Sequence, residues 1–152
     1  MKRWIGAAAI CMNEKNEILM VLQGKKDEPK SWSVPSGGQE KGETLEECCI
    51  REVWEETGYE VEIINKIYEK KGVTYGIPVY VHYYLVQQVG GSMNIQDPDG
   101  LIYEIDWKDV HELREISLAF PEDYELLLRY VNGMDKNRGT VSGKMNEGMI
   151  KR

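Results

Sequence analysis

The chain has 152 residues, of which 41% are apolar and 30% are charged, and its formal net charge is −7. This length predicts one globular domain with its own hydrophobic core. The acidic balance argues against binding to double-stranded DNA or to an anionic membrane surface through bulk charge. No apolar run reaches the ~20 residues needed to cross a bilayer, so no membrane partner is expected.

The chain contains three cysteines, Cys11, Cys48 and Cys49. An odd number of cysteines, two of which are adjacent in sequence, does not favour a disulfide framework. We therefore expect a reducing, cytoplasmic location.

The first half of the chain predicts two strands, a lysine-bearing loop and a helix. The apolar runs 4–12 and 17–23 flank a polar turn cluster and predict a strand pair. A polar loop over 24–31 and a glycine-bearing loop over 35–43 follow. Thr44 and Glu47 then form a T-x-x-E capping box, and Gly58 provides a stop, so Leu45–Thr57 is predicted to be helical.

The second half predicts further strands and a final helix. Residues 61–68, 79–89 and 101–107 are predicted strands, because they are rich in β-branched and aromatic side chains. A long loop is predicted over 90–100, a short helical turn over 109–113, and a helix over 122–131 after Pro121. We expect a domain over 1–132 with a mixed sheet covered by helices, followed by a polar, mobile tail over 133–152.

Successive side chains of the helix predicted after Thr44 are rotated by ~100° about the helix axis, and this rotation divides them between two faces. Glu52, Glu55 and Glu56 share one face, because neighbours at i, i+3 and i+4 meet there. One interpretation is a solvated acidic stripe. The other is a site for a hard divalent cation, which prefers oxygen ligands. Cys49, Ile50, Val53, Trp54 and Thr57 lie on the other, broad side.

The loop and the helix together resemble the signature box of the Nudix (MutT-like) hydrolases, G-x5-E-x7-R-E-U-x-E-E-x-G-U, where U is a bulky aliphatic residue. Gly37, Glu43, the run Arg51-Glu52-Val53-Trp54-Glu55-Glu56 and Gly58 match the pattern at its spacing. Only the last position of the pattern differs, because Tyr59 stands where the pattern has a bulky aliphatic residue. The resemblance implies a Nudix-type α/β/α sandwich with a mixed β-sheet. It also implies hydrolysis of a pyrophosphate linkage in a nucleoside diphosphate derivative, with magnesium or alternatively manganese.

The resemblance also implies roles for individual residues. Glu52, Glu55 and Glu56 would be catalytic metal ligands, and the backbone carbonyl of Ser36 would point toward them. Arg51 would orient the carboxylates, with Glu43 as its partner; an ordinary intrahelical salt bridge to Glu47 or Glu55 is a second interpretation, and both can hold together. The residues that would support the loop and the box are Gly37, Gly38, Glu43 and Gly58.

Substrate and general base stay open at this stage. Candidate bases are Glu52, Asp97, Asp99 and Glu104, and candidate substrate-binding residues are Lys25, Lys26 and Tyr75. The substrate would be a nucleoside triphosphate, a dinucleoside polyphosphate or an RNA 5′ end. Two other functions are alternatives. One is a nucleotide-sensing or regulatory module on the same fold without catalysis, and the other is an acidic interaction domain.

Overall fold

The structure is a computed structural model that describes residues 2–133. The predicted tail, apart from Gly133, lies outside the described residues. The elements in chain order are β1 (Trp4–Cys11), β2 (Ile18–Gln23), β3 (Ser31–Ser33), β4 (Ser36–Gly38), α1 (Leu45–Thr57), β5 (Tyr59–Thr74), β6 (Ile77–Gly91), β7 (Ile102–Lys108), α2 (Val110–Glu115), a 3₁₀ turn (Pro121–Asp123) and α3 (Tyr124–Val131).

The strands form two sheets. Strands β4, β1, β6 and β5 lie side by side in that order, and β3, β2 and β7 form the second sheet. Strand β1 runs parallel to β6 and antiparallel to β4, so the larger sheet is mixed, as predicted. The predicted pairing of the first two strands is wrong, because a single bridge between Met12 and Ile18 joins them. An apolar run indicates burial on both faces but does not identify the neighbouring strand.

Helices cover both faces of the larger sheet, so the predicted α/β/α sandwich is confirmed. On one face α1 packs over alternate residues of β1 and β6, including Ala7, Ala9 and Tyr84. On the other face α2 and α3 pack with the remaining alternate residues, including Ala8 and Tyr83. Both central strands are therefore buried on both sides. No helix within residues 2–133 is long and apolar enough to cross a bilayer.

The β5–β6 hairpin is longer than predicted. The segment 70–78, which lies between the predicted strands 61–68 and 79–89, is mostly strand, and only Tyr75 and Gly76 form the turn. Both residues have positive φ, 50° and 76°, as a type I′ turn requires. The end of the hairpin is exposed on both faces, so it shows no alternating apolar pattern.

Helix α1 has the predicted boundaries. The capping box between Thr44 and Glu47 is present, and Gly58 ends the helix with φ 82°. The buried face does not coincide with the broad side, because Trp54 on that side is 42% exposed whereas Cys48 outside it is fully buried. The helix packs against β4 as well as β1 and β5, and Cys48 Sγ lies 3.5 Å from the Gly37 carbonyl oxygen. The buried arc is therefore rotated toward Cys48 and away from Trp54.

Candidate active site

Strand β4 presents its backbone to α1. Ser36 pairs with Ala8 and Gly38 with Gly6, in the positions where an antiparallel pair leaves N–H and C=O groups pointing away from the partner strand. The Ser36 N–H donates to Glu56 Oε1 over 3.3 Å. The Ser36 carbonyl faces the same open edge, and its role as a metal ligand stays a prediction. Ser36 lies in an extended strand, so a side chain is tolerated where the family pattern has glycine.

Arg51 is the centre of the polar network on α1. Its guanidinium donates to both carboxylate oxygens of Glu43, over 2.6 and 2.9 Å, and to the Gly38 carbonyl over 3.0 Å. It also donates to Glu52 over 2.8 Å and to Glu55 over 3.2 Å. The hydrogen bonds from Arg51 lower the pKa of the Glu43 carboxyl. The contacts with Glu43 and Glu55 coexist, so Arg51 has its predicted partner and an intrahelical pair at the same time.

The alternative Arg51 partner, Glu47, has a different contact. Its carboxylate accepts from the Thr44 backbone N–H over 2.9 Å as part of the capping box. Glu47 therefore supports the start of the helix, and Arg51 supports the carboxylate cluster.

Glu52 and Glu56 form a pair of carboxyl groups, of which Glu56 is buried and Glu52 is partly buried. Glu56 is only 9% exposed. Burial, together with the charge of Glu52, raises the pKa of the Glu56 carboxyl well above its usual range. Burial also raises the pKa of Glu52, although Arg51 opposes this. No Lys or Arg among residues 2–133 forms an ion pair with Glu56.

These carboxylates fit a divalent metal. Two adjacent buried carboxylates repel one another unless a proton or a cation lies between them. A hard cation such as Mg²⁺ is bound through carboxylates, backbone carbonyls and water. The predicted ligands Glu52, Glu55 and Glu56 therefore provide a suitable donor set, beside the open backbone edge at Ser36.

Gly37 leaves the space that Glu52 occupies. A Cβ at this position would lie 2.2 Å from the Glu52 carboxylate. We expect Gly37→Ala to displace this carboxylate and to lower kcat by about 10²-fold, the loss typical of a ~1 Å misplacement. Because the carboxylate is the end of a flexible side chain, the melting temperature should change by only a few degrees. Gly90→Ala is the matched control, because its Cβ would meet only the movable Glu60 side chain. Unchanged kcat in Gly37→Ala would contradict this role.

The three candidate bases outside α1 occupy different environments. Asp97 Oδ2 accepts from the Leu101 and Ile102 N–H groups over 2.6 and 3.1 Å, and Oδ1 accepts from Asp99 N–H. The charge of Asp97 contributes to the raised pKa of Glu56, so it lies near the cluster. Asp99 and Glu104 are exposed, and Glu104 lies on β7 opposite Leu22.

The loop that contains Asp97 is attached to α1. Asn94 N–H donates to the Thr57 carbonyl, and Gln96 N–H donates to the Glu55 carbonyl, each over 2.8 Å. A side chain at Gly58 would collide with this loop, because its Cβ would lie 2.3 Å from the Ser92 carbonyl oxygen. Gly58 therefore ends the helix and also admits the loop.

The predicted substrate-binding residues are exposed and lie outside the lining of the cavity beside Ser36. Lys25 and Lys26 are exposed, and their backbone carbonyls accept from Lys30 Nζ over 2.7 and 3.2 Å. Tyr75 is 98% exposed at the hairpin tip. None of the three lines the cavity beside Ser36. Their role in binding stays a prediction.

Sequence reasoning missed the polar residues of that cavity. The cavity has a volume of about 290 Å³, and its lining includes Ser36, Lys70, Glu122 and Asp123. The available signal was weak: two acidic residues after a proline at the start of the last helix. That pattern is also a common N-terminal helix sequence, so it does not indicate a site.

A second group of carboxylates lies elsewhere. Glu17, Asp109 and Glu112 each place one oxygen within 4.8 Å of the others. Asp109 and Glu112 are the two members of the α2 capping box, which explains why they are close. This group is distinct from the predicted ligands on α1.

Comparison with known proteins identifies relatives. The sequence model of the NUDIX domain matches residues 2–130. A candidate 8-oxo-dGTP diphosphatase of Bacillus subtilis is 44% identical over 62 residues, which is 41% of this chain and 40% of that protein. The RNA pyrophosphohydrolase of Roseobacter denitrificans is 35% identical over 68 residues, 44% of this chain and 42% of that protein. The chain thus spans less than half the length of these two relatives.

A solved structure shares the fold. The NUDIX hydrolase from Nitrosomonas europaea superposes with a TM-score of 0.74 over 90% of each chain, at 20% sequence identity. At this identity the likeness concerns the fold alone.

Proposed function

Since the chain belongs to the NUDIX domain family, we propose that it is a divalent-metal-dependent hydrolase that cleaves a pyrophosphate linkage in a nucleotide. The observation that carries the proposal is the carboxylate pair of partly buried Glu52 and buried Glu56, beside the open backbone edge of Ser36 and next to a cavity. A divalent cation would relieve the repulsion between the carboxylates and neutralise the phosphates of a substrate. The net charge of −7 makes that neutralisation necessary.

The metal would be Mg²⁺ or Mn²⁺, held by Glu52, Glu55 and Glu56 with the Ser36 carbonyl. When bound, it supplies charge neutralisation and lowers the pKa of coordinated water. Arg51 keeps Glu52 and Glu55 in place through charge-assisted hydrogen bonds, and Glu43 and the Gly38 carbonyl in turn hold Arg51.

The reaction requires a base that removes a proton from water as the water oxygen attacks phosphorus and the bridging P–O bond breaks. Such a base contributes typically ~10²–10⁴-fold to the rate. Among the four candidates, geometry favours Glu52. It is the one that contacts Glu56, whereas Asp97 bonds loop amides and Asp99 and Glu104 are exposed.

Three substrate classes follow from the proposal: nucleoside triphosphates, dinucleoside polyphosphates and RNA 5′ ends. Names of relatives support the first and the last. We also place the protein in a reducing cytoplasm, which its three free, buried thiols at Cys11, Cys48 and Cys49 support.

The test is a panel of these substrates with Mg²⁺ or Mn²⁺, read out as released phosphate or pyrophosphate. We expect metal-dependent hydrolysis that a chelator abolishes. Glu17→Gln is the matched control, because Glu17 belongs to the other acidic group. It should keep the activity of the parent protein. A panel with nucleotide binding but no hydrolysis would support the sensing module instead. No metal-dependent rise in melting temperature would support the acidic interaction domain.

A further inference from the structure

The backbone and the side chain of Ser36 point in different directions. Its backbone N–H lies on the open edge of β4 and donates to Glu56 over 3.3 Å. Ser36 pairs with Ala8 on β1, and directly opposed residues of an antiparallel pair have their side chains on the same face of the sheet. Ala8 packs in the core on the α2 and α3 face, and both residues line the cavity. The Ser36 side chain therefore lies on the cavity face, next to the carboxylate cluster.

The hydroxyl of Ser36 is available to a ligand. Within residues 2–133 it makes no hydrogen bond, and it is not among the buried oxygen atoms that lack a partner, so it is accessible. Its neighbours Ala8 and Val34, which also line the cavity, are apolar. A hydroxyl can donate one hydrogen bond and accept two. Ser36 thus adds a donor and an acceptor to an apolar part of the cavity.

The floor of the cavity crosses the larger sheet from β4 to β5. Ser36 on β4 is opposite Ala8 on β1, Ala8 is opposite Tyr83 on β6, and Tyr83 is opposite Tyr68 on β5. Neighbouring strands lie ~4.8 Å apart, so Ser36 and β5 are separated by ~14 Å. Lys70, also on β5, lines the far side. The cavity therefore has one end at the carboxylate cluster and the other at the β5–β6 hairpin.

A polar wall stands at the hairpin end. Lys70 Nζ donates to Glu122 Oε2 and to Asp123 Oδ1, each over 3.0 Å. Asp123 is 5% exposed and also accepts from the Tyr83 hydroxyl over 2.8 and 3.0 Å. Phe120 is 43% exposed beside this wall, and its ring centroid lies 4.7 Å from Lys70 Nζ. The polar groups of the wall bond one another, and the exposed ring provides a flat apolar surface that suits a nucleobase.

The two ends of the cavity orient a nucleotide. Under the proposed function, the phosphates lie at the carboxylates of α1. The sugar joins the phosphates to the base, so a base near the polar wall places the sugar over β4 and β1. Ser36 and Ala8 lie at that point of the floor. The accessible hydroxyl of Ser36 then faces the sugar.

We propose that Ser36 is a specificity-determining residue whose hydroxyl forms a hydrogen bond with a hydroxyl group of the nucleotide sugar. This inference rests on the proposed function, because that function places the phosphates at the carboxylate cluster. The bonded group is the 2′ or the 3′ hydroxyl, which share this chemistry. A neutral hydrogen bond of this kind changes affinity by about 3–10-fold.

The test uses one nucleoside triphosphate in three forms, with ribose, 2′-deoxyribose and 2′,3′-dideoxyribose. Each form is measured as a competitor of the best substrate of the panel, so the result does not depend on how fast the competitor is itself hydrolysed. We expect the inhibition constant to rise by about 3–10-fold at one of the two steps, and that step identifies the hydroxyl. Ser36→Ala should bring the ratio across this step toward one. A disturbed Ser36 carbonyl would change all three constants by the same factor and would cancel in the ratio.

Two further variants complete the test. Ser36→Gly removes the same hydroxyl and should also bring the ratio toward one, so the result does not depend on the folding of one variant. Thr74→Val is the matched control, because Thr74 lines the same cavity at the hairpin end. It should keep the step of the parent protein, and loss of the step in this variant would overturn the assignment to Ser36.

The outcomes separate the two proposals. Equal inhibition constants for the three sugars in the parent protein, with hydrolysis of the panel substrate, would overturn this inference and leave the proposed function intact. A step that persists unchanged in Ser36→Ala and Ser36→Gly would also overturn it, because another residue would then bind the sugar. A panel with no hydrolysis at all would remove the proposed function and the inference with it.

Discussion

Glu56→Gln should lower kcat by at least about 10³-fold in the presence of Mg²⁺ and should raise the melting temperature of the metal-free protein. The loss of activity follows from removal of a ligand, because a bound metal contributes several kcal/mol to the transition state. The gain in stability follows from the burial of Glu56, which is 9% exposed and lies against Glu52. A neutral amide removes the repulsion and can still accept from the Ser36 N–H.

The stability effect has a defined pH dependence. The folded state raises the pKa of Glu56 well above the ordinary value of 4.5. Ionisation therefore favours the unfolded chain, and the stability present below pH 4.5 is lost as the pH rises through the folded-state pKa. Thermal melts of the metal-free parent protein should show this decline, and Glu56→Gln should show less of it. Added Mg²⁺ should oppose the decline in the parent protein.

Exposed carboxylates provide the control. Glu60→Gln, on β5, should leave both kcat and the pH dependence unchanged. If Glu56→Gln retained the activity of the parent protein, the metal-ligand assignment would be wrong. If it melted at a lower temperature than the metal-free parent at neutral pH, the carboxylate pair would not be repulsive.

Helix α1 could be predicted from the sequence because its signals are local. The capping box at Thr44 and the stop at Gly58 lie at the ends of the element they define, and the structure has both. The convergence of Glu52, Glu55 and Glu56 follows from helical spacing alone. The contact from Ser36 to Glu56 spans 20 residues, and the resemblance to a known family was needed to expect the two in one site.

Sheet pairing and the cavity wall could not be predicted in this way. Strand β1 pairs with β4 and β6 rather than with β2, and its apolar run indicates burial on both faces without identifying these lateral partners. The contacts of Asp123 with Lys70 and Tyr83 span 53 and 40 residues. The sequence around each of these residues gives no sign of the contact. The polar cluster forms only because the β5–β6 hairpin packs against the start of the last helix in the folded protein.

Arg51→Leu should reduce both stability and activity, and the two losses should respond differently to a second substitution. Four carboxylates and one carbonyl surround the guanidinium, whose side chain is 20% exposed: those of Glu40, Glu43, Glu52 and Glu55, and the Gly38 carbonyl. Breaking a buried ion pair typically costs 3–5 kcal/mol. Allowing for the partial exposure of Arg51, we expect a loss of about 2–4 kcal/mol in the free energy of unfolding. Thermal melts should show a fall of roughly 5–15 °C.

The double variant Arg51→Leu/Glu43→Gln separates support of the fold from support of the site. Glu43 makes the bidentate contact, so the amide removes the carboxylate that Arg51→Leu leaves without its cationic partner. We expect recovery of about 1 kcal/mol of stability in the cycle, because the second substitution removes a partly buried charge whose remaining partner is the Glu40 backbone N–H. Activity should stay low, because Glu52 and Glu55 still lack the group that orients them. Recovery of kcat in the double variant would show that Arg51 supports only the fold. Arg51→Lys should fall between parent and Arg51→Leu in stability, because an ammonium group keeps the charge but cannot reproduce the planar, two-oxygen contact with Glu43.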